Sequence, residues 1–251
     1  MKPFADHFSR VAPAYASCRP GYPAELFSYL SDLPRQHDLA WDCGAGSGQA
    51  TLPLTGKFRR VLATDISSAM LQSAPGHAGI EYRVAAAEKS GLEAATVDLV
   101  TVAQALHWFP VEAFFAEADR VLKPGGVLAV WTYGNQVTAD ESLDAVLARF
   151  YRDVVGRYWP AERRHVESGY RSLPFPYPEL DPPAFIMEER WTLSELLGYI
   201  RTWSAIQHYQ QALGHDPVAE LGQELAGHWG PPSATRRIRW PLSLRLGRRP
   251  G

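Results

Sequence analysis

Between Leu39 and Leu52 the chain places an apolar run, Leu39-Ala40-Trp41, directly before Asp42-Cys43-Gly44-Ala45-Gly46-Ser47-Gly48. Glycine at three alternate positions lets a backbone bend sharply and approach a ligand without interference from Cβ atoms. A helix expected to begin near Gln49 would aim its unpaired N–H groups at the same place. The chemistry implied is the cradling of a cofactor. A dinucleotide fingerprint, G-x-G-x-x-G counted from Gly44 and Gly46, would need a third glycine where Gln49 stands. Another apolar run, Arg60 to Ile66, ends in Asp65-Ile66, and an acid about 20 residues after the first strand reaches the two hydroxyls of a ribose. Asp65 therefore points to a nucleoside, whether a nicotinamide dinucleotide or another.

With the fingerprint broken, what stands is D-x-G-x-G-x-G. At Asp42 to Gly48 and at Asp65 the chain resembles the class I S-adenosylmethionine-dependent methyltransferases. Three more stretches carry the resemblance in order: Val84-Ala85-Ala86-Ala87-Glu88, Asp98 to Phe109 including Gln104-Ala105-Leu106-His107-Trp108, and Leu122-Lys123-Pro124-Gly125-Gly126 to Trp131. Five matches in sequence order argue against coincidence. The resemblance implies S-adenosylmethionine as cofactor, held by Asp42, Gly44, Ala45, Gly46 and Gly48 at its methionine part and by Asp65 at its ribose. It implies Ile66, Met70, Ala87 and Glu88 near the adenine, and Gln104 at the end of the fourth strand. Relatives often carry an aspartate where Ala86 stands, so adenine recognition is expected to rest on backbone around Ala87 and on Glu88.

A further stretch, Tyr15 to Pro23, resembles the trans-aconitate methyltransferase-like branch through Tyr15, Arg19, Pro20, Tyr22 and Pro23. It implies an N-terminal lid in which Arg19 takes the methionine carboxylate as a fork-shaped donor and Tyr15 closes the site. The bland alternative is a surface arginine and a packing tyrosine.

The elements that must position these residues follow from periodicity. Leu26, Tyr29, Leu30 and Leu33 mark one face of a helix, and strands alternate with helices from Asp42 to Tyr133, the pattern of a parallel sheet covered on both sides. Phe114, Phe115, Ala118, Val121 and Leu122 give the helix after Pro110 its buried face. An amphipathic helix is expected over Glu141 to Trp159, then a loop broken by Pro174, Pro176, Pro178, Pro182 and Pro183. A strand at Ala184 to Trp191, helices at Ser194 to Ala205 and Pro217 to His228, and a last strand at Arg237 to Leu246 complete the chain. The fold expected is α/β: a Rossmann-like, seven-stranded, mostly parallel sheet with helices on both faces, the last strand antiparallel and a helical insert after the fifth. One domain is expected over 1–251, divided into a lid (1–23), a cofactor-binding core (24–134), an insert with its proline-rich loop (135–183) and a C-terminal part (184–251).

Composition narrows the function. With 25 Lys plus Arg against 27 Asp plus Glu among 251 residues, and no long basic run, a phosphate-tracking nucleic-acid binder is disfavoured. Nor does an Asn- or Asp-Pro-Pro-aromatic motif follow the fourth strand. Two cysteines make no disulfide framework and no metal set, so no metal is expected and a reducing cytosol fits. An export signal and an apolar span of membrane length are both missing from the pattern. The partner expected is a small-molecule acceptor, not nucleic acid or membrane.

Methyl transfer from a sulfonium needs alignment and a dry pocket rather than a triad. His107, after the fourth strand, is the candidate general base or hydrogen-bond donor to an acceptor, and equally a packing histidine. Trp108, Trp131, Tyr133 and Trp203 are candidates for an aromatic acceptor pocket. At most one of Arg163, Arg164 and Arg171 is expected to pair with an acidic acceptor. The resemblance to the trans-aconitate methyltransferase-like branch implies a carboxylate acceptor methylated on oxygen, and the chemistry agrees, since a carboxylate is already a nucleophile at neutral pH. A non-catalytic adenosylmethionine-binding domain and a nicotinamide oxidoreductase are the competing readings, the second opposed by Gln49 and by the lack of a Tyr-x-x-x-Lys pair.

Overall fold

The computed structural model describes residues 19–251; Tyr15 and the rest of the expected lid up to Cys18 lie outside the described residues. Eight strands form one sheet: β1 (Leu39–Cys43), β2 (Arg60–Asp65), β3 (Ile80–Val84), β4 (Val97–Ala103), β5 (Leu122–Tyr133), β6 (Glu179–Leu180), β7 (Ile186–Trp191) and β8 (Arg236–Arg248), in the order β3-β2-β1-β4-β5-β8-β6 with β7 also on β8. The five strands from β3 to β5 are parallel, and β8 runs antiparallel to β5, with Trp131 opposite Leu244. β8 is antiparallel to β7 as well, pairing Met187 with Trp240. The expected seven strands are present, and the two-residue β6 in the proline-rich segment adds an eighth.

Strand side chains alternate between faces. On β1, Trp41 and Cys43 join one core layer with Phe114, Val100 and Leu128, while Ala40 joins the opposite layer with Leu26, Phe27, Leu99 and Trp131. Val97 and Leu99 break this alternation by facing opposite layers, and the register between β4 and β5 shifts between those two residues. Helix α1 (Ala24–Asp32) covers one face and α3 (Val111–Val121) the other, while α2 (Ser68–Gln72) follows β2. A third layer joins the insert to the C-terminal part through Leu143, Tyr199, Ile206, Trp229 and Trp240. Among the described residues no helix is long and apolar enough to cross a membrane.

Three elements differ from expectation. No α-helix follows the glycine turn: turns lead to a 3-10 helix at Leu52–Leu54, where Pro53 lacks an N–H and Gly56 turns the chain with φ 75°. The expected helix over Glu141 to Trp159 is three pieces, α4 (Glu141–Arg149), a π turn (Phe150–Val154) and a 3-10 turn (Gly156–Tyr158). It is followed by the short α5 (Arg163–Glu167). The expected helix at Ser194 to Ala205 is α6 (Leu193–Arg201), which stops where the Thr202 hydroxyl bonds back to the Tyr199 carbonyl and Trp203 turns extended. A separate helix, α7 (Ser204–Leu213), then begins, and α8 (Val218–Trp229) precedes β8.

Candidate active site

The carboxyl ends of parallel strands are where an open α/β sheet binds ligands. Here β1 runs into Gly44 and Ala45, whose N–H groups donate to the Thr64 carbonyl at 2.8 and 2.9 Å and fold the turn over β2. Gly44 has φ 71°, and a Cβ there would lie 2.7 Å from Ala105 Cβ and 2.9 Å from Phe109 Cζ. Gly46, with φ 54°, would place a Cβ within 4 Å of Met70 Cε alone. Its N–H donates to Asp65 Oδ2 at 2.9 Å, and Asp65 Oδ1 accepts from Ser67 N–H at 2.8 Å, so the carboxylate ties β2 to the turn.

Over this turn lies a cavity of about 710 Å³. Gly44, Ala45, Gly46, Asp65, Ile66 and Met70 line one side, with Ala86, Ala87, Glu88 and Gln104 elsewhere on the wall. Three described cofactor candidates are not on it: Asp42, Gly48 and Arg19, the last of which lines a smaller cavity. Asp42 is fully buried beneath the turn, accepting the Thr51 hydroxyl at 2.5 Å and the Thr101 hydroxyl at 2.9 Å. Burial, aided by the charge of Asp65, pushes its pKa up to about 6 against those two bonds. Gly48 stands behind the turn, where a Cβ would meet the Tyr82 hydroxyl at 3.1 Å. The wall also holds Tyr22 of the branch-like stretch and Phe109, together with Ser67, to which the sequence reading gave no role.

Residues 41–130 match the model of the family described as a methyltransferase domain. A Dictyostelium discoideum protein classed as a methyltransferase is 32% identical over 225 residues, covering 88% of this chain and 86% of that one. The chain belongs to the class I S-adenosylmethionine-dependent methyltransferases. A probable S-adenosylmethionine-dependent methyltransferase of Saccharomyces cerevisiae is 26% identical over 225 residues, covering 76% of this chain and 77% of its own. A solved protein from Anaeromyxobacter dehalogenans, described as a type II methyltransferase, superposes with a TM-score of 0.86 at 46% identity, covering 92% of this chain and 98% of that one. The cavity fits the family's cofactor, S-adenosylmethionine: a turn stripped of Cβ atoms, a carboxylate at the end of β2 and an apolar ledge at Ile66, Met70 and Ala85 to Ala87.

A second, smaller cavity of about 60 Å³ shares Gln104, Trp108 and Tyr133 with the first. Gln104, in left-handed backbone geometry at φ 55°, is locked between them: its Oε1 accepts from Tyr133 N–H and from the Thr132 hydroxyl, and its Nε2 donates to the Tyr133 carbonyl. In this methyltransferase the small cavity is walled by aromatic rings of the insert and of the segment after β7, namely Trp159, Tyr199 and Trp203. Its cations are Arg19 and Arg163. Arg19, expected at the cofactor's carboxylate, is in this wall instead, donating to the Tyr133 hydroxyl at 2.8 Å and lying 5.3 Å from the Tyr199 ring centroid. Arg163 lies 4.4 Å over the Trp159 ring and donates to the Tyr151 hydroxyl at 2.9 Å. Arg164 and Arg171 do not reach the cavity and are exposed.

His107 lines the small cavity and not the large one. Its Nδ1 is 3.0 Å from the Tyr170 hydroxyl, and burial, with the charges of Arg163 and His165 beside it, lowers its pKa to about 3. Of the four aromatic candidates, Trp108 and Tyr133 line both cavities and Trp203 the smaller. Trp131 lines neither, being fully buried against Phe27 and Tyr22 in the core. The sequence reading missed Trp159 and Tyr199. Trp159 stood at the end of an expected helix, and Tyr199 with Trp203 has the i, i+4 spacing of ordinary core residues.

Proposed function

We propose that this methyltransferase methylates a carboxylate oxygen of a small organic acid, as the resemblance to the trans-aconitate methyltransferase-like branch suggests. One observation carries the reading: among the described residues the small cavity has two arginines in its wall, Arg19 and Arg163, and no acidic side chain. The Trp159 indole N–H adds a buried donor that finds no acceptor among the described residues. An anion entering beside these groups gives the unpaired indole donor an acceptor.

When bound, S-adenosylmethionine supplies a methyl group on a sulfonium, which passes to the acceptor oxygen as the electron pair of the C–S bond returns to sulfur. Asp65 would hold the ribose diol, Gly44 to Gly46 would leave room for the methionine part, and Ile66, Met70 and Ala87 would flank the adenine, with Glu88 at its polar edge. Trp108, Tyr133 and Gln104, common to both cavities, would align the acceptor with the cofactor. A carboxylate needs no deprotonation, and a histidine held neutral down to about pH 3 is a poor base for a hydroxyl. The acceptor is thus a free small molecule, not nucleic acid or a membrane lipid, met in the cytoplasm.

Incubation with methyl-labelled S-adenosylmethionine and a panel of small carboxylic acids tests this directly. A base-labile methyl ester is expected, and an N-methyl or C-methyl product would sink the reading. With the acceptor in hand, His107→Ala should cost only a modest factor in kcat, whereas a hydroxyl acceptor requiring a base would lose about 10²-fold or more.

A further inference from the structure

Tyr170 is fully buried, yet its backbone is in the left-handed region at φ 63°, a conformation uncommon outside glycine that persists only when its surroundings enforce it. Its surroundings do. Its N–H donates to the His165 carbonyl at 2.7 Å and its own carbonyl accepts from Arg245 Nη1 at 2.7 Å. Arg245 comes from β8, is itself buried, and is held by Glu179 through two bonds of 2.7 and 3.0 Å. The preceding residue must be Gly169, because a Cβ there would lie 2.7 Å from Ser243 Oγ. The product of this construction is a phenol fixed 3.0 Å from His107 Nδ1.

The phenol keeps its proton, since burial raises its pKa. Hydrogen bonding with the Thr132 hydroxyl, and then with the backbone at His107 and Leu106, works against that rise. The nearby Thr132 hydroxyl gives its proton to Gln104 Oε1, whose orientation is set by the Tyr133 backbone. Two acceptors are then within reach of the Tyr170 proton, the Thr132 hydroxyl oxygen and His107 Nδ1, and the 3.0 Å contact is with Nδ1. A neutral imidazole accepting at Nδ1 carries its hydrogen on Nε2.

We propose that Tyr170 is a positioning residue for the acceptor site, its hydroxyl donating to His107 Nδ1 and so fixing the tautomer in which Nε2–H is presented as a hydrogen-bond donor to the acceptor's carboxylate. This rests on the carboxylate reading above and extends it, making His107 a donor and not a base. Nε2 has no partner among the described residues, and His107 is in the wall of the cavity that Arg163 also lines.

Nitrogen-15 NMR of the full chain labelled at histidine tests the assignment without any turnover, the His107 signals being identified by their loss in His107→Gln. In the wild type, Nδ1 should resonate as the unprotonated nitrogen and Nε2 as the protonated one, and Tyr170→Phe should turn this single tautomer into a mixture. Acetate, titrated at saturating adenosylhomocysteine, should perturb the Nε2 signal of the wild type and bind about tenfold more weakly to Tyr170→Phe. His107→Gln should recover acetate binding that His107→Ala loses, because the amide restores a donor. A proton on Nδ1 in the wild type, or an unchanged tautomer in Tyr170→Phe, overturns the proposal. Calorimetry with adenosylhomocysteine separates the two levels: normal cofactor-site binding with the wrong tautomer defeats only the Tyr170 assignment, whereas the right tautomer with no acid methylated defeats the carboxylate reading.

Discussion

Asp42 and His107 are buried ionisable groups whose shifts pull stability in opposite directions as pH falls. For Asp42 the folded pKa, about 6, lies above the ordinary aspartate value of 3.8, so the folded state binds the proton first. Its contribution is fully present below 3.8 and is lost as pH rises through 6. Between pH 7 and pH 5 this amounts to a gain of about 1 kcal/mol on acidification. His107 behaves inversely: its folded pKa, about 3, lies below 6.5, so the unfolded chain takes the proton first and stability falls by about 2 kcal/mol over the same interval. Glu117, lowered to about 2 by Arg120 and Ser90, loses its contribution only below the ordinary glutamate value of 4.5 and stays outside this window. Asp42→Asn should therefore make the fall in Tm from pH 7 to pH 5 steeper than in the wild type, and His107→Gln should make it shallower. Thermal unfolding at pH 5, 6 and 7 without ligand checks both signs; parallel curves for all three proteins would show that neither shift exists.

The glycine turn shows which parts of an element a sequence discloses. Its place after β1 and the acid at the end of β2 were legible because strand period and βαβ spacing are local properties. The absence of a regular helix after the turn, and the π turn that divides 141–159, were not, since an apolar stripe fits several helical geometries and tertiary packing selects among them. Trp159 reaches the smaller cavity through that division and was not foreseen, nor was Tyr199, whereas His107, Trp108, Tyr133, Trp203 and Arg163 of the same wall were legible as candidates. Within the turn, Gly44 and Gly46 have the same sign of φ but different neighbours. Alanine at either position bears a left-handed penalty of about 1 kcal/mol. At 44 it also collides with Ala105 and Phe109, whereas at 46 its Cβ faces the cavity beside Met70. Gly44→Ala should lower Tm by several degrees and abolish adenosylhomocysteine binding, while Gly46→Ala should keep Tm within a few degrees and weaken binding about tenfold or more. Equal losses of stability would mean that the two glycines are not distinguished by their neighbours.

At the scale of the whole molecule the two cavities draw on different parts of the chain. The cofactor cavity is built mainly from the carboxyl ends of β1, β2, β3 and β4 and the loops that follow them, whereas Trp159, Arg163, Tyr199 and Trp203 of the smaller one come from the insert and from the segment after β7. β8 joins these parts by pairing with β5 on one side and β7 on the other. Damage to one cavity should therefore leave the other's affinity intact, provided the altered residue does not hold the frame. Arg163 satisfies that condition: it packs on Trp159 and bonds to Tyr151, both within the insert, and contributes nothing to the sheet. Asp65 satisfies it less well, because its carboxylate also receives the N–H groups of Gly46 and Ser67. Asparagine, which keeps an oxygen for those bonds and removes the charge, is the better probe. Asp65→Asn should weaken adenosylhomocysteine binding by about tenfold or more through loss of charge-assisted bonds to the ribose, with the acceptor KM unchanged once cofactor saturates. Arg163→Ala should leave adenosylhomocysteine affinity within about twofold and raise the acceptor KM by about 10- to 100-fold, the worth of one charged hydrogen bond of roughly 1.5–3 kcal/mol. Calorimetry for the cofactor site and saturation kinetics for the acceptor measure the two arms independently. If Arg163→Ala weakened cofactor binding as much as acceptor binding, the small cavity would be part of the cofactor site and the division between the two would fail.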